Sequence, residues 1–282
     1  MSGPIANTFM IGAQKSGTTY LASLLAQHAD ICVSDPKEPQ FFGKEFDRGF
    51  EFYSRCFARP DAKIRLDAST TYTFLRPRHL LDEDGAPGYT ENIPQRIKDH
   101  SPNAKFIYIM RDPVKRMMSM IRHGARNDER SRGGTVTLQA AVERNPMALL
   151  ISKYADQIER YLEVWDKSDF LFLRFEDLKD NPQEVTSQVL DFLELSPLTL
   201  SLDAAKEDQH GAYRYTTAGR VLNQLGGAKS LARKALPAPL HRWIKSSIAT
   251  APSDLTFTEI DVVAPLLDDD RQRVFELTGL RI

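Results

Sequence analysis

Gly12-Ala13-Gln14-Lys15-Ser16-Gly17-Thr18-Thr19-Tyr20-Leu21 is the stretch that decides the fold of this 282-residue chain. It follows the apolar residues Phe9-Met10-Ile11 and opens a segment with helical apolar periodicity. This order indicates a buried strand, a loop with two glycines, and a helix. Glycines permit the backbone curl that points successive N–H groups at one centre, and the helix N-terminus adds partial positive charge there. The sequence therefore predicts an anion-binding loop.

The position of the lysine in this loop bears on which anion binds. In the nucleotide-triphosphate loop, G-x-x-x-x-G-K-[ST], the lysine directly follows the second glycine and the next hydroxyl binds magnesium. Thr18 stands in that lysine's place here, and Lys15 lies inside the curl. A strand-helix turn with an incidental lysine is the alternative that this motif alone leaves open. The candidate phosphate contacts are Lys15, Ser16, Gly17, Thr18 and Thr19.

A second segment points to another phosphate site. Residues 104–112 are typical of a buried strand, and Asp112-Pro113 indicates an N-cap followed by proline at the first helical position. Arg111 is therefore expected at the carboxyl end of a strand, where ligands bind in open α/β sheets and a guanidinium can hold a phosphate with two hydrogen bonds. Ser119 lies two turns into the helix, within reach of the same phosphate; taken alone, a solvated hydroxyl is the favoured interpretation.

Together the two segments resemble the 5′-phosphosulfate loop and the 3′-phosphate motif, R-D-P followed by a serine, of sulfotransferases that use 3′-phosphoadenosine 5′-phosphosulfate (PAPS). Residues 37–42, Lys-Glu-Pro-Gln-Phe-Phe, resemble the E-x-[Q/H]-F-F element of heparan-sulfate-type and related bacterial sulfotransferases. Without the resemblance, an ordinary surface Glu-Pro turn is the favoured interpretation. The resemblance implies that Glu38 is the general base that accepts the acceptor's proton.

Two further segments extend the resemblance. Residues 66–72 are similar to the family's E-x-S-P-x-Y strand end, with Ala68 in place of a lysine seen in some members and Thr70 in place of the proline. Residues 172–182 are similar to the family's F-x-x-x-E-D-L…D-P segment. The resemblance implies a PAPS-dependent sulfotransferase that releases 3′-phosphoadenosine 5′-phosphate (PAP). Lys15 with the loop N–H groups can stabilise the departing phosphate, so no metal is required.

Length and composition agree with one α/β domain over residues 1–282. The chain is 41% hydrophobic and has no low-complexity linker. The apolar patterns predict a central parallel β-sheet flanked by helices, with a P-loop-like phosphosulfate-binding loop. Strands are expected near 6–11, 63–66, 105–110 and 169–174, and helices near 18–27, 91–100, 113–124, 147–167, 182–193 and 266–277.

The charge pattern bears on the partners. A net charge of −1 gives the protein as a whole no field for nucleic acid. Residues 211–253 hold seven Lys/Arg and no acid, which indicates either a solvated face or a segment that closes over an anionic ligand. Arg220 in this segment is the candidate for the family's late loop over the 3′-phosphate. For residues 231–245, contact with the acceptor is favoured over a membrane surface, because Pro237 and Pro239 break the helix.

Location is predicted from segments that the sequence lacks. The chain has no charged-then-apolar leader, and no apolar run reaches the ~18 residues of a transmembrane segment. Cys32 and Cys56 are then expected in a reducing compartment, without a disulfide or a zinc site. With the resemblance, this predicts a bacterial cytoplasmic enzyme. The expected acceptor is a glycan, a lipid or a small metabolite, and the sequence gives no oligomeric state. His123 is expected to be an ordinary surface residue.

Two other classes of function stay open at this point. A phosphate-loop kinase or NTPase would explain the first motif, but it needs a lysine at the position of Thr18 and a magnesium-binding carboxylate where Arg111 stands. Magnesium dependence would separate these enzymes from a sulfotransferase. A non-catalytic nucleotide-binding protein would keep Arg111 and Ser119 while losing Lys15 or Glu38, and both of these are present.

Overall fold

The computed structural model describes residues 5–74, 92–125, 134–202, 214–215, 249–250 and 255–282. Within these residues, five strands form a parallel sheet and four short strands form two separate pairs. The strands are β1 (Thr8–Gly12), β2 (Ile31–Val33), β3 (Ile64–Asp67), β4 (Lys105–Met110), β5 (Thr135–Thr137), β6 (Phe170–Arg174), β7 (Arg214–Tyr215), β8 (Ala249–Thr250) and β9 (Thr256–Thr258).

Helices follow the strands and cover the sheet. The described helices are α1 (Thr18–Leu25), α2 (Gly49–Ser54), α3 (Ile93–His100), α4 (Pro113–Ala125), α5 (Leu138–Arg144), α6 (Met147–Leu150), α7 (Tyr154–Leu162), α8 (Phe175–Asp180), α9 (Pro182–Phe192), α10 (Ile260–Val263) and α11 (Asp268–Thr278). Five of them, α1, α3, α4, α9 and α11, begin and end within two residues of the predicted positions, whereas α2, α5, α8 and α10 have no predicted counterpart.

The main sheet has the strand order β2-β3-β1-β4-β6, and every neighbouring pair is parallel. Its central strands β1 and β4 are buried on both faces, as expected for a parallel sheet covered by helices, whereas the edge strand β6 is half-buried at three of its five residues. In β4, Phe106 and Tyr108 point into an aromatic-rich cluster, whereas Ile107 and Ile109 point into an aliphatic cluster. The second cluster includes Leu21 and other side chains of α1 and α9. The fold is the predicted α/β architecture with a central parallel sheet.

The single helix predicted over 147–167 is wrong, because the structure divides it into α6 and α7. The carboxylate of Asp270 accepts hydrogen bonds from the backbone N–H groups of Tyr154 and Ala155, at 2.9 Å each, and so caps a new helix start. The apolar periodicity continues across the break, but a capping group from a distant helix ends one helix and starts another.

The strand order brings three loops to one edge of the sheet. β1 lies between β3 and β4, so the segments that follow Gly12, Asp67 and Met110 are adjacent. Ligands of open α/β sheets bind outside the carboxyl ends of the strands. The phosphate loop and Arg111, predicted from separate motifs, therefore share this edge.

Candidate functional site

Two glycines shape the loop between β1 and α1, because neither position has room for a side chain. A Cβ at Gly12 would lie 2.6 Å from Tyr108 Cε2, and one at Gly17 would lie 2.8 Å from Phe175 Cδ2. Gly17 and Lys15 also have φ angles of 84° and 71°, in the left-handed region. Left-handed residues within a turn are a feature of backbone nests whose N–H groups bind anions. The local geometry supports the predicted anion-binding loop.

This loop borders a cavity of about 370 Å³. The segment that carries Glu38 forms another part of its wall, so Lys15 and Glu38 face one space although they come from different motifs. Ser16 is fully buried beneath the loop. The described residues that line the cavity are Gln14, Lys15, Gly17, Thr18, Thr19, Glu38, Thr70, His123 and Phe175.

The carboxylate of Glu38 is held from both sides. Its Oε1 lies 2.8 Å from Lys37 Nζ, and its Oε2 accepts a hydrogen bond from Thr70 Oγ1 at 3.2 Å. The side chain of Glu38 keeps 32% of its surface exposed, so the oriented carboxylate can still meet a ligand. Lys37 Nζ also donates to Thr18 Oγ1 at 3.3 Å and so connects the carboxylate to the phosphate loop.

A buried carboxylate organises the end of β3. Asp67 is fully buried and accepts hydrogen bonds from Tyr53 Oη at 2.8 Å, Tyr72 Oη at 2.7 Å and Ser69 Oγ at 2.6 Å. Burial raises the pKa of Asp67 to about 6, and these hydrogen bonds lower it in part. A fixed anion thus orients three side chains directly behind the cavity wall.

The same network holds the segment of residues 37–42 in place. Ser69 Oγ accepts a hydrogen bond from Gln40 N at 2.9 Å, and Tyr72 Oη accepts one from Phe42 N at 3.1 Å. Phe41 and Phe42 are fully buried in the aromatic cluster. The segment is therefore fixed by its backbone and by its aromatic side chains, which leaves Glu38 at a defined position on the cavity wall.

Arg111 lies at the carboxyl end of β4, as the sequence predicts. Its Nη1 donates to Lys15 O at 3.4 Å, and its guanidinium lies 4.8 Å from the centre of the Phe175 ring. Tyr154 Oη donates to the backbone oxygen of Arg111 at 3.0 Å. Arg111 is not among the described cavity-lining residues, but its side chain reaches the backbone of the phosphate loop.

Four buried polar atoms at this edge have no hydrogen-bond partner within the described part of the chain: Arg174 Nε and Glu176 Oε2 at and just after the end of β6, and Ser16 Oγ and Arg111 Nε beside the phosphate loop. Buried polar groups are normally paired, so an unpaired hydroxyl and an unpaired guanidinium N–H indicate an incomplete site. Ser16 Oγ and Arg111 Nε, together with the nearby Lys15 and the N-terminus of α1, suit an anionic ligand with phosphate groups. The residues present therefore fit the donor that the sequence implies.

Helix α4 begins with the predicted cap. Asp112 Oδ1 accepts from Lys115 N at 2.8 Å, and Asp112 Oδ2 accepts from Arg271 Nη2 at 3.2 Å, which ties α4 to α11. Ser119 is half-buried on this helix and is not among the described lining residues. His123, one turn further, is exposed as expected, yet it borders the cavity. Its spacing of four residues from Ser119 is the sequence signal that points to it.

The remaining predicted site residue, Arg220, lies outside the described residues. Lys37 and Thr70 belong to motifs that the sequence displays, but their contacts with Glu38 depend on side-chain directions that no motif specifies. Among the described residues, no group of three or more His, Cys, Asp or Glu side chains is placed to hold a metal ion. No helix in the described ranges is long and apolar enough to cross a membrane.

Comparison with known protein families gives a match to the sulfotransferase domain over residues 6–214. The chain belongs to this family. The match covers the phosphate loop, the Glu38 segment, Arg111 and Ser119, and it confirms the family predicted from the sequence.

Individual relatives agree with this assignment. The sulfotransferase-domain chain is 28% identical over 211 residues to a bifunctional heparan sulfate N-deacetylase/N-sulfotransferase of Drosophila melanogaster, covering 67% of this chain and 20% of the relative. It is 28% identical over 207 residues to heparan sulfate glucosamine 3-O-sulfotransferase 6 of Mus musculus, covering 69% of this chain and 55% of the relative. The chain thus spans about a fifth of the length of the Drosophila protein and about half of the length of the mouse protein.

A solved structure supports the fold. The crystal structure of a sulfotransferase from Alicyclobacillus acidocaldarius has a TM-score of 0.56 and 25% sequence identity, and the alignment covers 73% of this chain and 90% of that chain. The central parallel sheet flanked by helices is therefore the architecture shared with a solved member of the family.

Proposed function

We propose that this protein transfers the sulfuryl group of PAPS to an acceptor hydroxyl. The observation that carries the proposal is the shared cavity, in which Lys15 of the phosphate loop and the oriented carboxylate of Glu38 face one space. A cation for the leaving group and a base for the acceptor are the two groups that such a transfer requires. Family membership supports the same reaction class.

The donor would bind along the carboxyl edge of the sheet. The loop of residues 15–19 would hold the 5′-phosphosulfate with its N–H groups and Lys15, and Arg111 with Ser119 would hold the 3′-phosphate. Arg220 is proposed as a further 3′-phosphate contact. The unpaired Ser16 Oγ and Arg111 Nε support a ligand with phosphate groups at this edge. When bound, PAPS supplies an activated sulfuryl group whose leaving group is a phosphate, and no metal is proposed to assist.

Glu38 is proposed as the general base. The hydrogen bond from Thr70 and the ion pair with Lys37 orient its carboxylate. Because about a third of the side chain is exposed, the carboxylate can accept the proton of an acceptor hydroxyl. Lys15 is proposed to stabilise the negative charge that develops on the departing phosphate oxygen. Lys15 and Glu38 line the same cavity, so one bound acceptor and donor can contact both side chains.

The acceptor is proposed to be a glycan, because the curated relatives named above are called heparan sulfate sulfotransferases. Lipids and small metabolites are the other acceptor classes to test. A bacterial, cytoplasmic enzyme stays a prediction from the sequence.

The experiment measures PAP release from PAPS with a panel of glycan, lipid and small-metabolite acceptors. Lys15→Ala and Glu38→Gln should each lower turnover by roughly 10²-fold, the size typical for removal of a charge stabiliser or a general base. Lys44→Ala and Glu51→Gln are the matched controls, because their side chains are 68% and 82% exposed and pair with other surface groups. Full turnover of Glu38→Gln with every productive acceptor would refute the base assignment.

A further inference from the structure

The segment of residues 37–42 begins with a lysine, Lys37, that the E-x-[Q/H]-F-F motif does not specify. Lys37 Nζ lies 2.8 Å from Glu38 Oε1 and 3.3 Å from Thr18 Oγ1, so one ammonium group bridges the base and the phosphate loop. Its backbone oxygen accepts a hydrogen bond from Ala68 N at 3.2 Å. Lys37 is not among the described cavity-lining residues, but its ammonium group contacts two of them, Thr18 and Glu38, and so places a cation beside the cavity.

The ammonium group has donor capacity left for a ligand. A lysine side chain has three N–H donors. Within the described part of the chain, the hydrogen bonds of Lys37 Nζ are those to Glu38 and Thr18. The side chain is only 21% exposed, so its charge acts in a partly desolvated place where an added anion gains more than it would in water. Thr18 is a residue of the loop proposed to hold the phosphosulfate.

We propose that Lys37 is a second cation of the donor site, which contacts the sulfuryl group of PAPS and at the same time holds Glu38. The inference rests on the proposed function. Lys15 lies within the phosphate loop, whereas Lys37 Nζ lies between Thr18 of that loop and the proposed base, Glu38. The proton of the acceptor goes to Glu38, as proposed above.

This arrangement predicts a difference between two nucleotides. PAPS and PAP share the 5′- and 3′-phosphates, and only PAPS carries the sulfuryl group. Loss of Lys37 should therefore weaken PAPS binding and leave PAP binding nearly unchanged. Loss of Lys15, which is proposed to contact the 5′-phosphate, should weaken both.

The test is calorimetric titration of PAPS and of PAP, with a chelator and without an acceptor, into the wild type and Lys37→Met. We expect Lys37→Met to weaken PAPS binding about 10-fold, the size of a lost charge-assisted hydrogen bond, and to change PAP binding less than about 2-fold. Lys37→Arg should recover part of the loss. Lys44→Met is the surface-lysine control, and it should change neither affinity.

Thr70→Val separates the two roles of Lys37. It removes the other hydrogen bond to Glu38 without removing a cation, so turnover should fall while the ratio of PAPS to PAP affinity stays at the wild-type value. A wild-type ratio in Lys37→Met would overturn the Lys37 inference and leave the proposed function standing. A wild-type protein that binds neither nucleotide would refute the proposed function and the inference together.

Discussion

Replacement of Gly17 by alanine tests how the phosphate loop is built. Gly17 has φ 84° and ψ 11°, and a Cβ there would lie 2.8 Å and 2.9 Å from two carbons of the Phe175 ring. The left-handed conformation costs an L-residue about 1–2 kcal/mol. The clash with a packed ring adds about 1–3 kcal/mol. Gly17→Ala should therefore lower the free energy of unfolding by about 2–5 kcal/mol.

Gly279 provides a matched control. It has φ 79° and ψ 0° at the end of α11, and a Cβ there would meet no atom within 4 Å. Gly279→Ala should carry only the conformational cost of about 1–2 kcal/mol. The difference between the two variants isolates the clash with Phe175.

The assay is urea unfolding of both variants, followed by calorimetric titration with PAP. Gly17→Ala should also weaken PAP binding by at least about 10-fold, because the loop N–H groups must shift to relieve the clash. Gly279→Ala should bind PAP like the wild type. Equal loss of stability in the two variants, with equal PAP binding, would show that Phe175 does not pack against the loop as described.

Three further predictions concern Asp67, the Arg116–Ser152 hydrogen bond and His123. Burial raises the pKa of Asp67 to about 6. Between about pH 4 and pH 6, the native state therefore holds a proton that the unfolded chain has released. The stability of the wild type relative to Asp67→Asn should thus fall by up to about 3 kcal/mol as the pH rises through that range. Urea midpoints of the two proteins that move in parallel with pH would contradict this. Arg116 is fully buried, and its Nε donates to Ser152 Oγ at 2.9 Å. Ser152→Ala removes that acceptor and should lower the free energy of unfolding, measured with heat or urea, by about 1–3 kcal/mol. A decrease below about 0.5 kcal/mol would argue against this hydrogen bond. His123→Ala should change turnover or acceptor KM, because the side chain borders the cavity, and unchanged kinetics with every acceptor would remove His123 from the site.

The fold could be predicted from the sequence where local signals were strong. The mostly apolar runs of β1 and β4 and the Asp112-Pro113 cap have one local interpretation, and the structure agrees with it. β2 has only three residues, too few for a periodic pattern, and its place at the sheet edge depends on pairing with β3. The break between α6 and α7 depends on Asp270, which is distant in the sequence.

The candidate site divides in the same way. Lys15 and Glu38 are recognisable because loop chemistry and a motif mark them, and the strand order then brings them to one cavity. The contacts of Glu38 with Lys37 and Thr70 involve side-chain rotamers and the packing of one loop against another. Such contacts leave no periodic or compositional signal, so they had to come from the structure.

The most direct test of the central claim is calorimetric binding of PAP and of ADP to the wild-type protein, with a chelator present. The two nucleotides are isomers: PAP carries its second phosphate at the 3′ position, which Arg111 and Ser119 are proposed to hold, whereas ADP carries it on the 5′-phosphate. The proposed donor site predicts that PAP binds clearly more tightly than ADP without any divalent metal. Equal affinities, or binding that appears only with magnesium, would contradict it and favour a kinase or NTPase.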